Sequence, residues 1–412
     1  MQFMDTRNGL RDIFIIGAKS IGQYGGYETF VDKLTEYHQN EPSIKYHVAC
    51  KANGDGFMDE SKLINVTNIR QNGKYREFTY HNAHIFKVPV PNIGSAVAVY
   101  YDLAALKFSI DYCFDNDIRE PVFYILTSRI GPFIGWIKRR ITALGGVLYL
   151  NPDGHEWKRD KWSAPVRRYW KLSEKLMVKH SDLIICDSIN IEKYIREEYS
   201  YFNPKTVYLS YGAEVIEPSQ SGDYPEFSKW MNRFGLKPGE YYLAVGRFVP
   251  ENNYEAMLRE FMMCRSSRKF VVVSNSNEKF YKELECRLHF QNDKRIVFAG
   301  TVYDQNLLRL IRENAYAYVH GHSVGGTNPS LLEALSSTRI NLLYDVGFNK
   351  EVGRDAAFYW KSYKGDLSHL IDRVDQLQDK EIEVLAEKAR DRINEAYNWS
   401  YIANQYLKLF QR

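Results

Sequence analysis

Short apolar runs bounded by glycine or proline alternate along the chain with longer segments that have the period of an amphipathic helix. This alternation is typical of a parallel α/β sheet, whose strands are covered on both faces. In the first half, strands are predicted at Asp12–Gly17, Tyr46–Lys51, His84–Val90, Val122–Thr127, Gly146–Asn151, Leu183–Asp187 and Thr206–Leu209. In the second half, strands are predicted at Tyr241–Val245, Lys269–Val273, Ile296–Ala299, Ala315–Val319 and Ile340–Tyr344.

A segment without clear periodicity, rich in proline, serine, glycine and acids, separates the two halves and predicts a linker at residues 213–236. The 412 residues suffice for two domains with separate cores. We therefore expect an α/β fold of two Rossmann-like, doubly wound domains, at residues 1–212 and 237–394, with an interdomain cleft. A last helix within residues 395–412 is expected to pack back on the N-terminal domain.

Composition excludes several classes of protein. The net charge of only +4 gives no global field for nucleic acid. The five cysteines are scattered without CxxC spacing, which predicts reduced thiols, and no set of His, Cys and acidic residues has metal-ligand spacing. No apolar run reaches the roughly 18 residues of a membrane span, so a soluble cytoplasmic protein is expected. The 31 Tyr and 22 Phe suit a protein that handles sugars or lies near lipid.

One glycine-rich turn carries the most chemical information. The apolar run Ala315–Val319 predicts a strand, and an apolar helix is predicted at Ser330–Leu335, with Gly325 and Gly326 in the turn between them. Such a turn presents free backbone N–H groups and the positive end of a helix dipole, which suit a phosphate. Glu333 is close enough along the helix to accept a hydrogen bond from a neighbouring sugar hydroxyl. A diphospho-sugar is therefore the first ligand to consider, although plain tight turns of this kind are common.

Two further segments repeat the arrangement of a strand followed by polar residues. Gly25 and Gly26 precede an amphipathic helix after the first strand, but the spacing is not GxGxxG, which disfavours a nicotinamide dinucleotide. A plain turn is the alternative there. Arg247 follows the first strand of the second half, where a guanidinium group can hold a diphosphate. A simple surface arginine is the competing interpretation.

The loop after the strand Gly146–Asn151 offers Asp153, His155 and Glu156 for the reacting sugar, with a solvated loop as the alternative. It leads into a basic, tryptophan-rich stretch, Trp157–Lys179, with eight basic residues against two acids. Tryptophan and basic side chains together favour binding to a membrane surface or a lipid pyrophosphate. Single-stranded nucleic acid and a merely solvated face are the alternatives.

Taken together, four motifs give the chain a family resemblance. They are Tyr24–Phe30, Asp153–Trp162, Gly246–Asn253 and Gly325–Glu333. The chain resembles the retaining glycosyltransferases of family 4, which have the GT-B fold. More narrowly, it is similar to the bacterial β-1,4-rhamnosyltransferases of streptococcal capsule and cell-wall polysaccharide assembly. Two positions depart from the family pattern, since Gly325 replaces the first of two glutamates and a lysine near Asn252 is missing.

The resemblance implies a role for each motif. Arg247 would hold the donor diphosphate, Glu333 the ribose, and the turn before the helix the phosphates, while Gly25 and Gly26 would close over the donor. The implied donor-binding residues are Gly25, Gly26, Arg247, Asn252, Gly325, Gly326, Thr327, Asn328 and Glu333. The implied catalytic residues are Arg247, Asp153 and His155. The implied acceptor and membrane residues are Glu28, Trp157, Lys158, Arg159, Lys161, Trp162, Arg167 and Arg168.

The reaction implied is the transfer of L-rhamnose from dTDP-β-L-rhamnose, with retention, to undecaprenyl-pyrophosphoryl glucose or a similar lipid-linked saccharide. The N-terminal domain would bind this acceptor at the inner face of the plasma membrane, and the C-terminal domain the nucleotide sugar. A same-face mechanism without metal or cofactor is expected, because no loop pair supplies the two carboxylates of a double displacement. A UDP-hexose donor, a nucleotide-sugar 2-epimerase and a catalytically silent sugar-nucleotide-binding subunit are the alternatives.

Overall fold

The computed structural model describes residues 9–23, 25–159, 162–215, 224–275 and 277–412. The chain divides into two compact units. Unit 1 consists of Met1–Trp157, Trp162–Ser210 and Trp399–Arg412, and unit 2 of Lys158–Lys161 and Tyr211–Asn398.

Unit 1 is built on one sheet with nine strands among the described residues. The strands are β1 (Arg11–Ile16), β2 (Ile44–Lys51), β3 (Thr67–Asn72), β4 (Tyr75–Tyr80), β5 (Ala83–Val88), β6 (Val122–Leu126), β7 (Val147–Asn151), β8 (Leu183–Cys186) and β9 (Thr206–Tyr208). Their order is β3-β4-β5-β2-β1-β6-β7-β8-β9, and all neighbours are parallel except β3 with β4 and β4 with β5. Strand β1 is central, and its residues Ile13–Ile16 are completely buried.

The helices of unit 1 are α1 (Gly26–Tyr37), α2 (Val97–Asp115), α3 (Gly131–Ala143), α4 (Ala164–His180), α5 (Ile189–Glu198) and α14 (Trp399–Phe410). The C-terminal helix α14 packs against α1 and the sheet. His38 Nε2 lies 3.0 Å from the carbonyl oxygen of Ala403, and the Tyr406 ring packs against Phe30 and Tyr124. The end of the chain is therefore part of the core of unit 1.

Unit 2 contains a parallel sheet of six strands among the described residues, in the order β12-β11-β10-β13-β14-β15. The strands are β10 (Tyr241–Val245), β11 (Lys269–Val273), β12 (Ile296–Gly300), β13 (Ala317–His320), β14 (Asn341–Tyr344) and β15 (Phe358–Trp360). The helices are α6 (Pro225–Phe234), α7 (Tyr254–Met263), α8 (Glu278–Leu288), α9 (Gln305–Glu313), α10 (Pro329–Ser337), α11 (Gly347–Gly353), α12 (Asp366–Val374) and α13 (Asp379–Ala396). The expected doubly wound α/β organisation is confirmed.

Every strand predicted from the sequence is present, but strands β3, β4 and β15, which the described residues also contain, were not predicted, and helix α6 lies where a linker was expected. Strand β3 is exposed along its whole length and has one apolar residue, Ile69, so it carries no alternating apolar signal, and β15 has only three residues. Helix α6 lies inside the predicted linker, where Phe227, Trp230 and Met231 are buried. Residues 216–223 of that linker lie outside the described part of the chain.

Candidate functional site

Two loops of unit 2 meet at one edge of its sheet. Strands β10 and β13 are parallel neighbours, with Leu243 opposite Tyr318. The loops that follow them, residues 246–253 and 321–328, therefore leave from the same edge, which is where α/β proteins bind ligands. The Tyr318 hydroxyl joins the two sides, because it lies 3.1 Å from the Val245 carbonyl oxygen and 3.1 Å from Ser330 Oγ.

Side-chain hydrogen bonds hold these loops together. Asn253 Nδ2 donates to the Gly321 carbonyl oxygen at 2.7 Å. Asn252 Nδ2 donates to the Arg247 carbonyl oxygen at 2.8 Å, so Asn252 Oδ1 is the acceptor for His322 Nδ1, also at 2.8 Å. The resemblance assigns Asn252 to binding of the nucleotide-sugar donor. In the structure its side chain holds the Arg247 backbone and the His322 ring in place.

A third contact continues this loop pairing. The Glu251 carbonyl oxygen accepts hydrogen bonds from Ser323 N at 3.1 Å and from Ser323 Oγ at 2.7 Å. Residues 251–253 are therefore joined to residues 321–323 one after another. A Cβ atom at Gly321 would lie 2.2 Å from the Asn252 carbonyl oxygen, so only glycine fits where the loops are closest.

The turn before α10 has the features of an anion site. Asn328 caps the helix, since its Oδ1 accepts a hydrogen bond from Ser330 N at 2.9 Å, and Pro329 opens the first turn. Gly325 has φ +135°, a backbone conformation that side chains disfavour. Thr327 is buried within the turn. The predicted residues Gly325–Asn328 therefore come together at the positive end of α10.

The carboxylate of Glu333 is held by an arginine that the sequence analysis missed. Arg312, buried at the end of α9, places Nη2 2.6 Å from Glu333 Oε2 and 3.3 Å from Ser330 Oγ. This pair fixes the direction of the Glu333 side chain and ties α9 to the first turn of α10. No pattern in the sequence singles out Arg312 from other basic residues near helix ends.

Two histidines of this site are uncharged at neutral pH. Burial lowers the pKa of His320 to about 3. Burial also holds the pKa of His322 well below its usual range, and His320, Arg159 and Arg247 add to that effect. Because His322 Nδ1 donates to Asn252, its Nε2 is an acceptor, and it faces the Gly325 turn, where a Cβ atom would be 3.1 Å away. The positive charges of Arg159 and Arg247 therefore help to keep the His322 ring neutral.

The carboxyl edge of the unit 1 sheet holds the other predicted loop. Asn151 ends β7, and its Oδ1 accepts hydrogen bonds from Asp153 N at 2.9 Å and from the Tyr27 hydroxyl at 3.5 Å. Both Asp153 and His155 have left-handed backbones, with φ of 58° and 47°. Next to them, buried Thr127 at the end of β6 has φ 117°, an unfavourable value for a β-branched residue. Such strain is typical of functional sites.

An aromatic and charged cluster supports His155. Its ring lies 4.2 Å from that of Tyr194, centroid to centroid. The Tyr194 hydroxyl donates to Glu174 Oε1 at 2.5 Å and accepts from Lys171 Nζ at 2.6 Å. Lys171 Nζ in turn lies 4.8 Å from the centre of the Trp157 ring. Lys171 and Trp157 belong to the basic, tryptophan-rich stretch. Their side chains pack within unit 1, in the cluster that supports His155.

A second buried pair of unit 1 was also missed. Asp102, which is completely buried in α2, lies 3.4 Å through both carboxylate oxygens from Arg129 Nη1. Burial raises the pKa of Asp102 to about 6, against the opposing effect of Arg129. The carboxylate of Asp153 also raises the pKa of Arg129, so the Asp102–Arg129 pair lies beside the strained loop. The available signal was the position of Asp102 in the apolar first half of α2, before the charged residues Lys107, Asp111 and Asp115.

The first glycine pair lies in unit 1 at the start of α1. Gly25 is the N-cap residue and Gly26 the first residue of the helix. Glu28 accepts a hydrogen bond from Lys19 N at 3.0 Å, and its carboxylate lies where a Cβ atom of Gly25 would be. The resemblance assigns Glu28 to acceptor binding. In the structure its carboxylate joins the loop after β1 to the first turn of α1.

The residues assigned to acceptor and membrane do not form one exposed face. Lys158 and Arg168 are exposed, but Arg159 is buried and belongs to unit 2. Trp162 is half-buried, where its Nε1 donates to Glu156 Oε1 at 3.0 Å and its carbonyl oxygen accepts from Arg167 Nε at 3.0 Å. Lys161 lies outside the described residues. A run of basic residues in sequence did not reveal which of them face inward.

Comparisons with known proteins agree with this fold. A family model described as a domain of unknown function (DUF1972) matches residues 10–214. None of the curated proteins matches the sequence. Sucrose-phosphate synthase from Thermosynechococcus elongatus has a similar structure, at 14% identity and a TM-score of 0.71, covering 97% of this chain and 98% of that one.

Two further solved structures were determined with nucleotides. The catalytic domain of starch synthase IV from Arabidopsis thaliana, bound to ADP and acarbose, is 12% identical with a TM-score of 0.71, covering 98% of this chain and 99% of that one. HepE from Anabaena, in complex with UDP-glucose, is 12% identical with a TM-score of 0.67, covering 97% and 98%. At these identities the likeness shows the fold, and the expected GT-B fold is confirmed.

The close approach at Gly321 leads to a direct test. We expect Gly321→Ala to lower the stability of the protein by about 1–3 kcal/mol, because the added methyl group would push the Asn252 backbone away. Gly26→Ala is the matched control, since a Cβ atom there meets nothing within 4 Å, and its effect should stay within about 0.5 kcal/mol. Urea unfolding measures both, and equal stability of the two variants would contradict the loop pairing.

Proposed function

We propose that this protein is a retaining glycosyltransferase that takes a sugar from a nucleotide donor bound in unit 2. The observation that carries the proposal is the pairing of the loops after β10 and β13. It places the backbone of Arg247 and the buried His322 next to the turn that opens α10. A helix start with a neighbouring guanidinium group is suited to a diphosphate. The nucleotide complexes of two structural neighbours support the same ligand class.

The chemistry follows from the charge that develops as the sugar leaves. The departing diphosphate gains negative charge, which the α10 dipole and Arg247 stabilise. His322 presents its Nε2 acceptor to a sugar hydroxyl, and Glu333, fixed by Arg312, accepts from the ribose. The leaving phosphate takes the proton of the acceptor hydroxyl as the new glycosidic bond forms on the same face. No divalent metal is required in this scheme, because protein groups neutralise the leaving charge.

In unit 1 we assign Asp153 and His155 to the reacting sugars. Both lie on a loop at the carboxyl edge of the sheet, in strained conformations that the surrounding contacts maintain. The cost of such conformations is typically 1–3 kcal/mol each, which is tolerated where it positions functional groups. They would orient the sugar and its acceptor, while the proton transfer stays with the donor phosphate.

The donor we propose is dTDP-β-L-rhamnose, and the acceptor is undecaprenyl-pyrophosphoryl glucose or a similar lipid-linked saccharide of capsule or cell-wall polysaccharide assembly. This choice is supported by the four motifs that resemble β-1,4-rhamnosyltransferases. The alternative is a UDP-hexose donor, which the UDP-glucose complex of HepE favours. A silent binding subunit is the second alternative, favoured by Gly325 where the family has a glutamate.

A lipid-linked acceptor requires contact with the membrane surface. Within the described residues, no helix is long and apolar enough to cross a bilayer. We propose that the exposed sides of the neighbouring helices α3 and α4, here called the α3–α4 face, bind the inner leaflet instead. Trp136 on this face is 61% exposed. The other exposed residues of the face are Phe133, Arg139, Arg168, Leu172, Lys175 and Lys179. Exposed aromatic rings among basic side chains suit an anionic interface.

Transfer is tested with the wild-type protein, EDTA and synthetic lipid-pyrophosphoryl glucose, comparing dTDP-L-rhamnose with UDP-glucose by mass spectrometry. We expect a product heavier by one deoxyhexose residue, from dTDP-rhamnose only. Arg247→Ala should lower the rate by roughly 100-fold, because it removes a cation from the leaving diphosphate. Arg265→Ala, an exposed arginine of unit 2, is the control.

The outcomes separate the alternatives. Transfer from UDP-glucose alone would keep the glycosyltransferase and exclude rhamnose. Interconversion of the free sugar nucleotide without acceptor would indicate an epimerase. Donor binding without any product would indicate the silent subunit, and wild-type turnover in Arg247→Ala would exclude the diphosphate role of that residue.

Membrane binding is tested by co-sedimentation with phosphatidylglycerol vesicles. Reversing the two exposed lysines of α4, Lys175→Glu with Lys179→Glu, should weaken binding at least tenfold, because each basic residue near an anionic surface contributes about 1 kcal/mol. The matched control reverses Lys279 and Lys282, which are equally exposed on α8 of unit 2. Equal binding of the two double variants would exclude the α3–α4 face.

A further inference from the structure

A row of polar side chains crosses the sheet of unit 1, near the amino ends of β1 and β5 and away from the carboxyl edge. It runs over four strands that are consecutive neighbours in the sheet, with Asp12 on β1, His47 on β2, His84 on β5 and Glu77 on β4. Asp12, His47 and Glu77 are buried, and the His84 side chain is 11% exposed. Titratable groups in a core are costly unless they are paired with one another. The contacts within the row therefore decide which protons it holds.

Three contacts join these side chains one after another. His47 Nε2 lies 2.8 Å from Asp12 Oδ1, and His47 Nδ1 lies 2.9 Å from His84 Nδ1. His84 Nε2 lies 3.2 Å from Glu77 Oε2, which is the length of an ion pair without the direction of a good hydrogen bond. The contact between His84 and Glu77 is therefore the weakest of the three.

Glu77 takes part in this row as a carboxylate. Arg70 Nε donates to its Oε2 at 2.7 Å, and Asn72 Nδ2 donates to its Oε1 at 2.7 Å. Burial alone would raise the pKa of Glu77, but the contact with His84 and these two hydrogen bonds outweigh burial and lower the pKa to about 2. At neutral pH Glu77 is thus ionised, and its oxygens can only accept hydrogen bonds.

The three contacts of the row require three protons. Each contact joins two atoms that are acceptors when bare, so it is favourable only if one of the two carries a proton. Two neutral imidazoles supply two protons, and the ionised Glu77 supplies none. A third proton is therefore bound, either on Asp12 or as the second proton of one imidazole. In each of these arrangements the contact with Glu77 has its proton on His84 Nε2.

The surroundings of the two rings decide where this third proton exchanges with solvent. The His47 ring is stacked on Phe14, with 4.3 Å between the ring centroids. Burial lowers the pKa of His47 to about 4, so this ring carries a single proton at neutral pH. His84 instead lines a cavity of about 310 Å³, which residues of β3 and β4 also line. The third proton therefore enters and leaves the row at His84.

Other charged and titratable groups face the row from three elements. They are Lys45 of β2, Arg70 of β3, and Tyr112 and Cys113 of α2. Burial raises the pKa of Tyr112 and of the Cys113 thiol, so both stay uncharged. The two cations favour release of the third proton, and the carboxylates of the row favour its retention. These opposing effects leave the third proton as the one that responds to pH.

We infer that the row is a proton-binding site, in which a third proton shared by Asp12, His47 and His84 fastens β4 to β5 and is released into the cavity as the pH rises. This inference is independent of the proposed function. The stabilisation is present at low pH, where the proton is bound. It is lost at high pH, where a bare His84 Nε2 faces the Glu77 carboxylate. Because Glu77 also holds Arg70 and Asn72, its movement loosens the hairpin of β3 and β4.

The test follows the side-chain nitrogens of isotopically labelled histidine in the wild-type protein by NMR. Spectra are recorded at about pH 5 and about pH 9, on either side of the range in which histidines usually titrate. We expect His84 Nε2 to be protonated at the lower pH and bare at the higher pH, while His47 carries one proton throughout. The variants His47→Gln and His84→Gln assign the signals.

Asp12→Asn is the variant that separates this row from an ordinary titrating histidine. The amide of the new side chain can donate to His47 Nε2 at any pH, so it supplies the third proton itself. The His47 proton should then move to Nδ1, and His84 Nε2 should stay protonated at both pH values. Asp111→Asn, which changes an acid of α2 outside the row, is the control and should behave like the wild type.

Hydrogen exchange reports the state of the hairpin. The exchange of residues 67–80 relative to that of α8 should rise with pH in the wild type, by up to about tenfold per pH unit, because one proton is released. The same ratio should stay constant in Asp12→Asn.

Three results would each overturn the inference. They are a bare His84 Nε2 at the lower pH, a wild-type row that keeps its protonation at the higher pH, and an unchanged pH dependence in Asp12→Asn. If Asp12→Asn does not fold, the wild-type spectra still decide, because they report the protonation of the His84 nitrogens directly.

Discussion

The pairing of residues 251–253 with residues 321–323 is the constraint on which the candidate site depends. Parallel strands β10 and β13 bring their following loops to one edge, but neighbouring strands alone do not fix the loops relative to each other. Asn252 joins the two loops through the Arg247 carbonyl oxygen and the His322 ring, while Asn253 and Ser323 satisfy partly buried carbonyl oxygens that would otherwise be costly to bury. Gly321 permits the close approach. As a result, Arg247, His322 and the first turn of α10 have fixed relative positions, which is what recognition of a diphosphate requires.

The two units have similar sheets but place different charged groups at the carboxyl edges of those sheets. Unit 2 gathers cations and backbone amides at its carboxyl edge and keeps its histidines neutral by burial. Unit 1 gathers acids and a histidine at the corresponding edge, in a strained loop that is supported by the cluster of Lys171, Glu174 and Tyr194. A leaving diphosphate needs the first kind of surroundings. The surroundings in unit 1 suit sugar hydroxyl groups, because carboxylates and imidazoles accept hydrogen bonds from them.

How much of this follows from the sequence depends on whether the signal is local. Apolar runs predicted the buried strands, and the glycine pair predicted the turn that precedes α10, because strand burial and turn geometry leave local patterns. The exposed strand β3, with the single apolar residue Ile69, left no such pattern. Arg312 and Arg129 were missed because each acquires its role from an acid distant in the chain. Arg159 was placed on a surface because charge runs are usually solvated, and only the fold shows that it is buried.

Hydrogen–deuterium exchange of the wild-type protein, with and without saturating dTDP, tests whether the nucleotide binds at the paired loops and the start of α10. A diphosphate at the start of α10 accepts hydrogen bonds from backbone amides, and it stabilises the paired loops. We expect slower exchange in peptides that cover residues 246–253 and 321–332, with α8 unchanged as the internal reference. If calorimetry shows that dTDP binds while exchange in residues 321–332 stays the same, the nucleotide lies elsewhere and the assignment of the site is wrong.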